Sequence, residues 1–140
     1  MVIFHKENHE WGVKKEIECL PIISSILDEE ITHDTNKYNE FDYFSKTYNI
    51  EIKSRKVCYN KYETTFTTPI KRTKANKSLK KVLWIFNFTD GLYYLNFNEH
   101  KQTINKLFYT RYKTSVGFRN NLDIPINILK PFNKDNFIHL

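Results

Sequence analysis

Cysteine, glycine and proline are scarce in this sequence. Of its 140 residues, two are cysteine, three are glycine and four are proline. Cys19 and Cys58 permit one disulfide at most, and their spacing matches neither a zinc knuckle nor a Cys-x-x-Cys redox pair. We therefore expect both cysteines to be reduced and structural.

Long apolar runs are also missing. The longest wholly apolar run covers residues 82–86, whereas a membrane-spanning helix needs about 20 such residues. The first residues lack the basic stretch, apolar core and small-residue cleavage site of a secretory signal. These absences predict an intracellular protein, in the cytoplasm or nucleus, with no membrane partner.

Positive charge and a globular share of apolar residues are present instead. The formal net charge is +6 at pH 7, and 40% of the residues are hydrophobic. A basic protein suits a polyanionic partner, because neutralising phosphates releases counterions. The abundance of lysine and asparagine beside a single alanine, Ala75, is also typical of A/T-rich coding sequence, so the charge alone does not identify the partner. No repeat, linker or low-complexity tract interrupts the chain, which predicts a single domain over residues 1–140.

The first predicted element is a helix over residues 9–27. Pro21 removes a backbone hydrogen bond there, which predicts a kink or a break near residue 20. The apolar stripe at helical spacing consists of Val13, Ile17, Leu20 and Leu27. Glu16 projects toward the buried side of this helix, where a carboxylate is costly unless another group pairs with it.

Two strands are predicted next, over residues 38–44 and 48–59. The short polar connection between them makes these strands an antiparallel hairpin. A loop of two or of four residues gives the same pairing, in which Asp42 lies directly opposite Glu51. Two carboxylates about 5 Å apart repel each other, and a cation between them relieves this repulsion.

The later elements complete an α/β pattern. Thr68 followed by Pro69 is typical of a helix start, with a capping residue and then a first-turn proline. The predicted elements are a helix over residues 69–80, strands over residues 82–88 and 92–97 joined by a turn at Asp90-Gly91, and a short helix at 103–108. We expect a central mixed β-sheet flanked by the helices.

Four polar residues form a candidate site: Glu16, Asp42, Glu51 and Lys53. Their arrangement resembles the PD-(D/E)xK nuclease superfamily, in which an acid from a leading helix joins an Asp and a Glu-x-Lys on adjacent strands. Residues 12–16 resemble the Gly-x-x-x-Glu of archaeal-type Holliday-junction resolvases, and residues 51–55 resemble their strand motif. Similar small proteins occur in large DNA viruses. Phe41 stands where the family name has proline.

The resemblance implies a restriction-endonuclease-like core with the element order αβββαβ. It also implies a Mg²⁺-dependent DNA endonuclease, with Mn²⁺ as a substitute. A Holliday-junction resolvase or another structure-specific nuclease is the expected subtype, and cutting two strands symmetrically would require a homodimer. A virus-encoded origin fits the same resemblance.

Each residue of the site suits one part of phosphodiester hydrolysis. Asp42 and Glu51 are hard oxygen ligands for Mg²⁺, with the backbone carbonyl of Ile52 as a third ligand. Lys53 would orient the attacking water and stabilise developing negative charge. Glu16 would reach a metal-bound water or a second ion. The candidate contacts to the phosphate backbone are Arg55, Lys71 and Lys74.

Two alternatives use the same residues without catalysis. Glu51, Lys53 and Arg55 would also fit the solvated face of an amphipathic strand, with Lys53 pairing with Asp42. The protein would then be a non-catalytic nucleic-acid-binding module or a viral interaction protein. The spacing alone is not specific, because it recurs at Asp90, Glu99 and Lys101; that second set would span a hairpin from tip to base, so we expect it not to converge.

Overall fold

The computed structural model describes residues 6–34, 41–115 and 117–138. The helices among them are α1 (Lys6–Leu27), α2 (Pro69–Lys77) and α3 (Lys101–Asn105), with a 3₁₀ turn at Ile126–Ile128. The strands are β1 (Thr32–His33), β2 (Tyr43–Phe44), β3 (Tyr48–Ser54), β4 (Thr64–Thr67), β5 (Lys81–Phe88), β6 (Gly91–Asn96), β7 (Thr110–Thr114), β8 (Gly117–Pro125) and β9 (Lys130–Pro131). None of these helices has the length and apolar character that crossing a membrane requires.

The main sheet is mixed, as predicted, with the strand order β1-β2-β3-β5-β6-β9. β3 runs antiparallel to β2 and parallel to β5, because α2 lies in the connection that returns the chain to the same end of the sheet. A second sheet, β4-β8-β7, was not predicted. The region beyond residue 99 lacks a clear apolar period, so the sequence pattern gave no sign of its two long strands.

The hairpin of β2 and β3 has the predicted register. Tyr43 pairs with Ile50 and Phe44 pairs with Asn49, and the next pair in that register would be Asp42 with Glu51. β2 is shorter than predicted, however, and begins after Asp42. The direct pairing of the two carboxylates across the ladder is therefore not formed. Residues 38–40 of the predicted strand lie outside the described residues.

Two apolar cores lie on opposite faces of the main sheet. The α1 core joins the helix to alternate residues of β3, including Tyr48, Ile50 and Ile52. On the other face, Ala75 of α2 and Leu122 of β8 pack against β5. Because side chains alternate along a strand, this arrangement puts Glu51 and Lys53 on the α2 face of the sheet.

Helix α1 is rotated relative to the predicted stripe. Its buried apolar residues are Cys19, Ile23 and Leu27. Val13 and Ile17, which were predicted to be buried, are 39% and 53% exposed. Glu16 lies one turn before Cys19 and so belongs to the buried row, as predicted. Pro21 lies inside a single helix, so of the two predicted outcomes, a kink or a break, the break does not occur.

The later elements follow the predictions closely. α2 begins at Pro69 with Thr68 as its N-cap, although it ends three residues earlier than expected. β5 and β6 form the predicted hairpin. Gly91 at its turn has φ of 146°, a value that strongly favours glycine over residues with a side chain.

Candidate active site

Glu51 and Lys53 project from the middle of the main sheet. Both lie on β3, two residues apart, and β3 has neighbours on both sides. Glu51 is buried and Lys53 is half-buried. The side chain of Ile52 points into the α1 core, so only its backbone carbonyl is available to a ligand on the α2 face.

Lys71 pairs with Glu51. Its ammonium lies 3.0 Å from the Glu51 carboxylate and donates a hydrogen bond to it. The side chains are 18% and 8% exposed, so solvent screens this pair weakly. The sequence predicted Lys71 as a phosphate contact, whereas the structure gives it a carboxylate partner. The position of Pro69 explains this difference, because it starts α2 so that Lys71 lies in the first turn, close to β3.

Glu16 approaches from the other side of the sheet. The hydroxyl of Tyr43 donates a hydrogen bond to the Glu16 carboxylate at 3.3 Å. Burial raises the pKa of Glu16 above its ordinary 4.5, and the charges of Asp42 and Glu51 raise it further. Lys53 and the Tyr43 hydroxyl act in the opposite direction. Lys53, Asp42 and Glu51 therefore all lie within electrostatic reach of the Glu16 carboxylate.

Tyr43 is a member of this site that sequence reasoning did not assign. Its side chain is buried, with 3% of its surface exposed. The predicted register of the β2–β3 hairpin could have identified Tyr43 as a neighbour of Glu16. It puts Tyr43 beside Ile50 on the α1 face, toward which Glu16 also points.

Lys53 lies within electrostatic reach of Glu51 and Glu16, and it has no direct partner among the described residues. Burial lowers its pKa below 10.5, and the neighbouring charges of Lys71 and Arg55 also lower it, whereas Glu51 and Glu16 raise it. No hydrogen bond or salt bridge joins its ammonium to another described residue. The pairing of Lys53 with Asp42, which the non-catalytic alternative predicted, is therefore not formed.

Asp42 is the least constrained of the four residues. It is exposed and lies in the segment that leads into β2. Phe41 and Tyr43, on either side of it, are buried in opposite cores, so the strand alternation is interrupted at this point. The backbone carbonyl of Asp42 accepts a hydrogen bond from the Asp34 amide at 2.7 Å.

The donor set suits Mg²⁺ chemically, although the carboxylates do not converge fully. In the described part of the chain, no group of three or more His, Cys, Asp or Glu side chains is arranged to hold an ion. Mg²⁺ commonly uses one or two carboxylates, with waters and substrate phosphates as its other ligands. Asp42, Glu51 and the carbonyl of Ile52 are oxygen donors of this kind, and Glu51 would have to exchange its Lys71 partner for the ion.

The predicted phosphate contacts fall on two elements. Arg55 follows the end of β3 and stacks on Phe66 of β4, with its guanidinium carbon 4.2 Å from the ring centroid. Lys74 lies one turn beyond Lys71 on α2, and no contact within the described residues ties it to the acids. Beside the site, between α1 and the ends of β3 and β5, is a cavity of about 650 Å³ whose wall includes Arg55 and Lys56.

The repeated spacing at Asp90, Glu99 and Lys101 does not form a second site. Asp90 lies at the tip of the β5–β6 hairpin, where its carboxylate accepts a hydrogen bond from the Tyr59 amide. Glu99 lies beyond the other end of β6, 3.7 Å from Lys130. The prediction that these residues do not converge is confirmed, and they provide matched controls for the candidate site.

Comparisons with protein-family models, with curated proteins and with solved structures found no match to this chain. The function is therefore inferred from the geometry and chemistry of the site.

The environment of Glu16 predicts a pH-dependent effect of substituting it. Because the folded-state pKa is raised, the folded protein binds this proton more tightly than the unfolded chain does. As the pH rises from 4.5 through the folded-state pKa of Glu16, ionisation of this residue lowers the free energy of unfolding. Above the folded-state pKa this loss no longer changes with pH. We expect Glu16→Gln to gain stability relative to the wild type across this window. Urea unfolding of both proteins in EDTA at several pH values measures the difference, and a difference that does not vary with pH would contradict the assignment.

Proposed function

We propose that this protein is a metal-dependent nuclease that hydrolyses DNA phosphodiester bonds at Glu16, Asp42, Glu51 and Lys53. One observation carries the proposal: the half-buried Lys53 has no direct partner in the described part of the chain and lies within the fields of acids from α1 and β3. A lysine with a purely structural role is seldom buried without a partner, because no contact then offsets the free-energy cost of removing its ammonium from water. Reactive groups with shifted pKa values are characteristic of active sites.

The chain's own groups suit the charge changes of the reaction. Hydrolysis develops negative charge on the attacking, non-bridging and leaving oxygens. The Lys53 ammonium would stabilise that charge and orient the attacking water, while the Tyr43 hydroxyl positions Glu16. A Mg²⁺ ion held by Asp42, Glu51 and the Ile52 carbonyl would lower the pKa of a bound water and neutralise phosphate charge.

The succession of elements supports the finer assignment to a restriction-endonuclease-like fold. When only the helices and the strands of the main sheet are considered, α1 is followed by β1, β2 and β3, and then by α2 and β5, which is consistent with the expected αβββαβ order. β4 is inserted before α2 and belongs to the second sheet. A Holliday-junction resolvase or another structure-specific nuclease, acting as a homodimer, is the proposed subtype.

A cleavage assay with matched variants tests the proposal. The purified protein is incubated with four-way-junction, duplex and single-stranded DNA in Mg²⁺, Mn²⁺ or EDTA. We expect cleavage only with metal, and we expect Asp42→Asn and Glu51→Gln each to lower its rate about 100-fold or more. The matched substitutions Asp90→Asn and Glu99→Gln remove the same charges at the repeated spacing and should leave the rate within about twofold.

The other outcomes point to the alternatives. Salt-sensitive DNA binding without cleavage in any metal would overturn the nuclease proposal in favour of a non-catalytic nucleic-acid-binding module. The absence of both cleavage and salt-sensitive binding would favour an interaction protein. Equal loss of cleavage in the Asp42→Asn and Asp90→Asn variants would exclude the candidate site as the place of cleavage.

A further inference from the structure

Two guanidinium groups share one aromatic ring on the second sheet. The guanidinium carbon of Arg55 lies 4.2 Å from the centroid of Phe66, and that of Arg119 on β8 lies 5.1 Å from the same centroid. Phe66 pairs with Asp123 in the β4–β8 ladder, so the ring and Arg119 rise from the same face of this sheet. The ring therefore brings together two cations that are distant in sequence.

This pair of cations has no anionic partner among the described side chains. None of the salt bridges between described residues involves Arg55 or Arg119. The guanidinium of Arg55 donates one hydrogen bond, to the carbonyl of Phe66, and its Nε–H is buried with no acceptor among the described residues. Burial and then the charge of Arg119 lower the pKa of Arg55 to about 10. An unpaired buried donor beside two like charges is costly, and an anion would relieve both penalties.

The position of the pair relates it to the candidate active site. Arg55 follows Lys53 by two residues, which is about 7 Å along an extended chain. The positive charge of Arg55 contributes to lowering the pKa of Lys53. A positively charged track thus runs from Lys53 through Arg55 to Arg119.

We infer that Arg55 and Arg119, held on Phe66, form a binding subsite for a backbone phosphate of the nucleic acid that enters the active site. Arginine suits this role, because its planar group offers several donors to phosphate oxygens in a fixed geometry. The second sheet, β4-β8-β7, then serves to extend the substrate-binding surface beyond the main sheet. The identity of the ligand rests on the proposed function, whereas the existence of an anion site rests on the unpaired guanidinium groups.

The chain provides a matched control for Arg119. Arg111 on β7 also stacks on a phenylalanine, with its guanidinium carbon 3.9 Å from the centroid of Phe118. Tyr112 pairs with Arg119, and Arg111 pairs with Asn120, so Arg111 lies on the opposite face of the ribbon from Arg119. Both arginines are exposed, and either can be replaced by glutamine without opening a core cavity.

The test measures DNA binding in EDTA, so that it does not depend on cleavage. We expect Arg119→Gln to raise the Kd for duplex or junction DNA about tenfold and to reduce the salt slope of log K by about 1, which is the loss of one phosphate contact. Arg111→Gln should change the Kd less than about twofold. Arg55→Lys, which keeps the charge but loses the forked donors, should weaken binding in the same direction as Arg119→Gln.

Three results would overturn this inference. Equal effects of Arg119→Gln and Arg111→Gln would mean that only the overall charge matters. Unchanged DNA affinity in Arg119→Gln would exclude the phosphate contact. If inorganic phosphate raises the melting temperature of the wild type but not of Arg119→Gln, while DNA affinity stays the same, the site would bind free phosphate instead. A failure of the nuclease proposal alone would leave the binding differences in place, with no cleavage by any variant.

Discussion

Replacing Lys53 with methionine should lower the kcat/KM of DNA cleavage about 1000-fold. Methionine keeps the apolar stem that fills this half-buried position and removes the ammonium, so the change isolates the charge. DNA binding in EDTA should change less than about threefold, because one cation among many contributes little to the total affinity. The measurement is single-turnover cleavage beside equilibrium binding.

Lys101→Met is the matched control for this substitution. Lys101 occupies the corresponding position of the repeated spacing, lies exposed at the start of α3 and has no part in the proposed site. We expect its cleavage rate to remain within about twofold of the wild type. Equal loss of rate in both variants, or full activity in Lys53→Met, would contradict the role of Lys53.

The lowered pKa of Lys53 adds a pH dependence to the same prediction. The ammonium is the active form, so the wild-type rate should fall as the pH rises through the folded-state pKa, which lies below 10.5. Lys71→Met should move that fall to higher pH, because the charge of Lys71 lowers the Lys53 pKa more than the charge of Arg55 does. A pH–rate profile with no such movement would exclude Lys53 as the titrating group.

Replacing Lys71 with methionine should cost about 3 kcal/mol of unfolding free energy in EDTA. The substitution leaves the Glu51 carboxylate buried without its partner, which costs more than the pair itself contributes. Adding Glu51→Gln to this variant should restore most of the stability, because the uncompensated charge is then gone. Lys74→Met, one turn further along α2 and without a contact to the acids, should change stability less than about 0.5 kcal/mol.

Divalent metal distinguishes a metal site from a purely structural ion pair. If Glu51 is a ligand, Lys71 competes with the ion for it, so Mn²⁺ should raise the melting temperature of Lys71→Met more than that of the wild type. Calorimetry with and without Mn²⁺ measures this shift. The same shift in both proteins, or none in either, would contradict metal binding at Glu51.

The elements around the site could be predicted because their signals are local. Thr68 and Pro69 mark the start of α2, and the turn at Asp90-Gly91 fixes the β5–β6 hairpin. The β2–β3 register follows from the length of the loop. Residue types at fixed positions are sufficient for these features.

Other features depend on tertiary contacts that a periodic pattern does not contain. Val13 and Ile17 share the helical period of the buried residues, but the sheet meets α1 along the row of Cys19 and Ile23. The pairing of Lys71 with Glu51 depends on where α2 crosses β3. The convergence of Arg55 and Arg119 joins residues 64 positions apart through a sheet that the sequence did not indicate.

The short β2 strand has a consequence for how the site assembles. Glu51 and Lys53 lie within seven consecutive positions of β3 that pair with β5, whereas Asp42 leads into β2, which has two paired positions on each side. Local opening should therefore require less free energy at Asp42 than at Glu51, and its amide should exchange with deuterium sooner. The binding free energy of an ion would then include the free-energy cost of ordering Asp42. Ion binding and the local stability of the segment that leads into β2 are therefore thermodynamically linked.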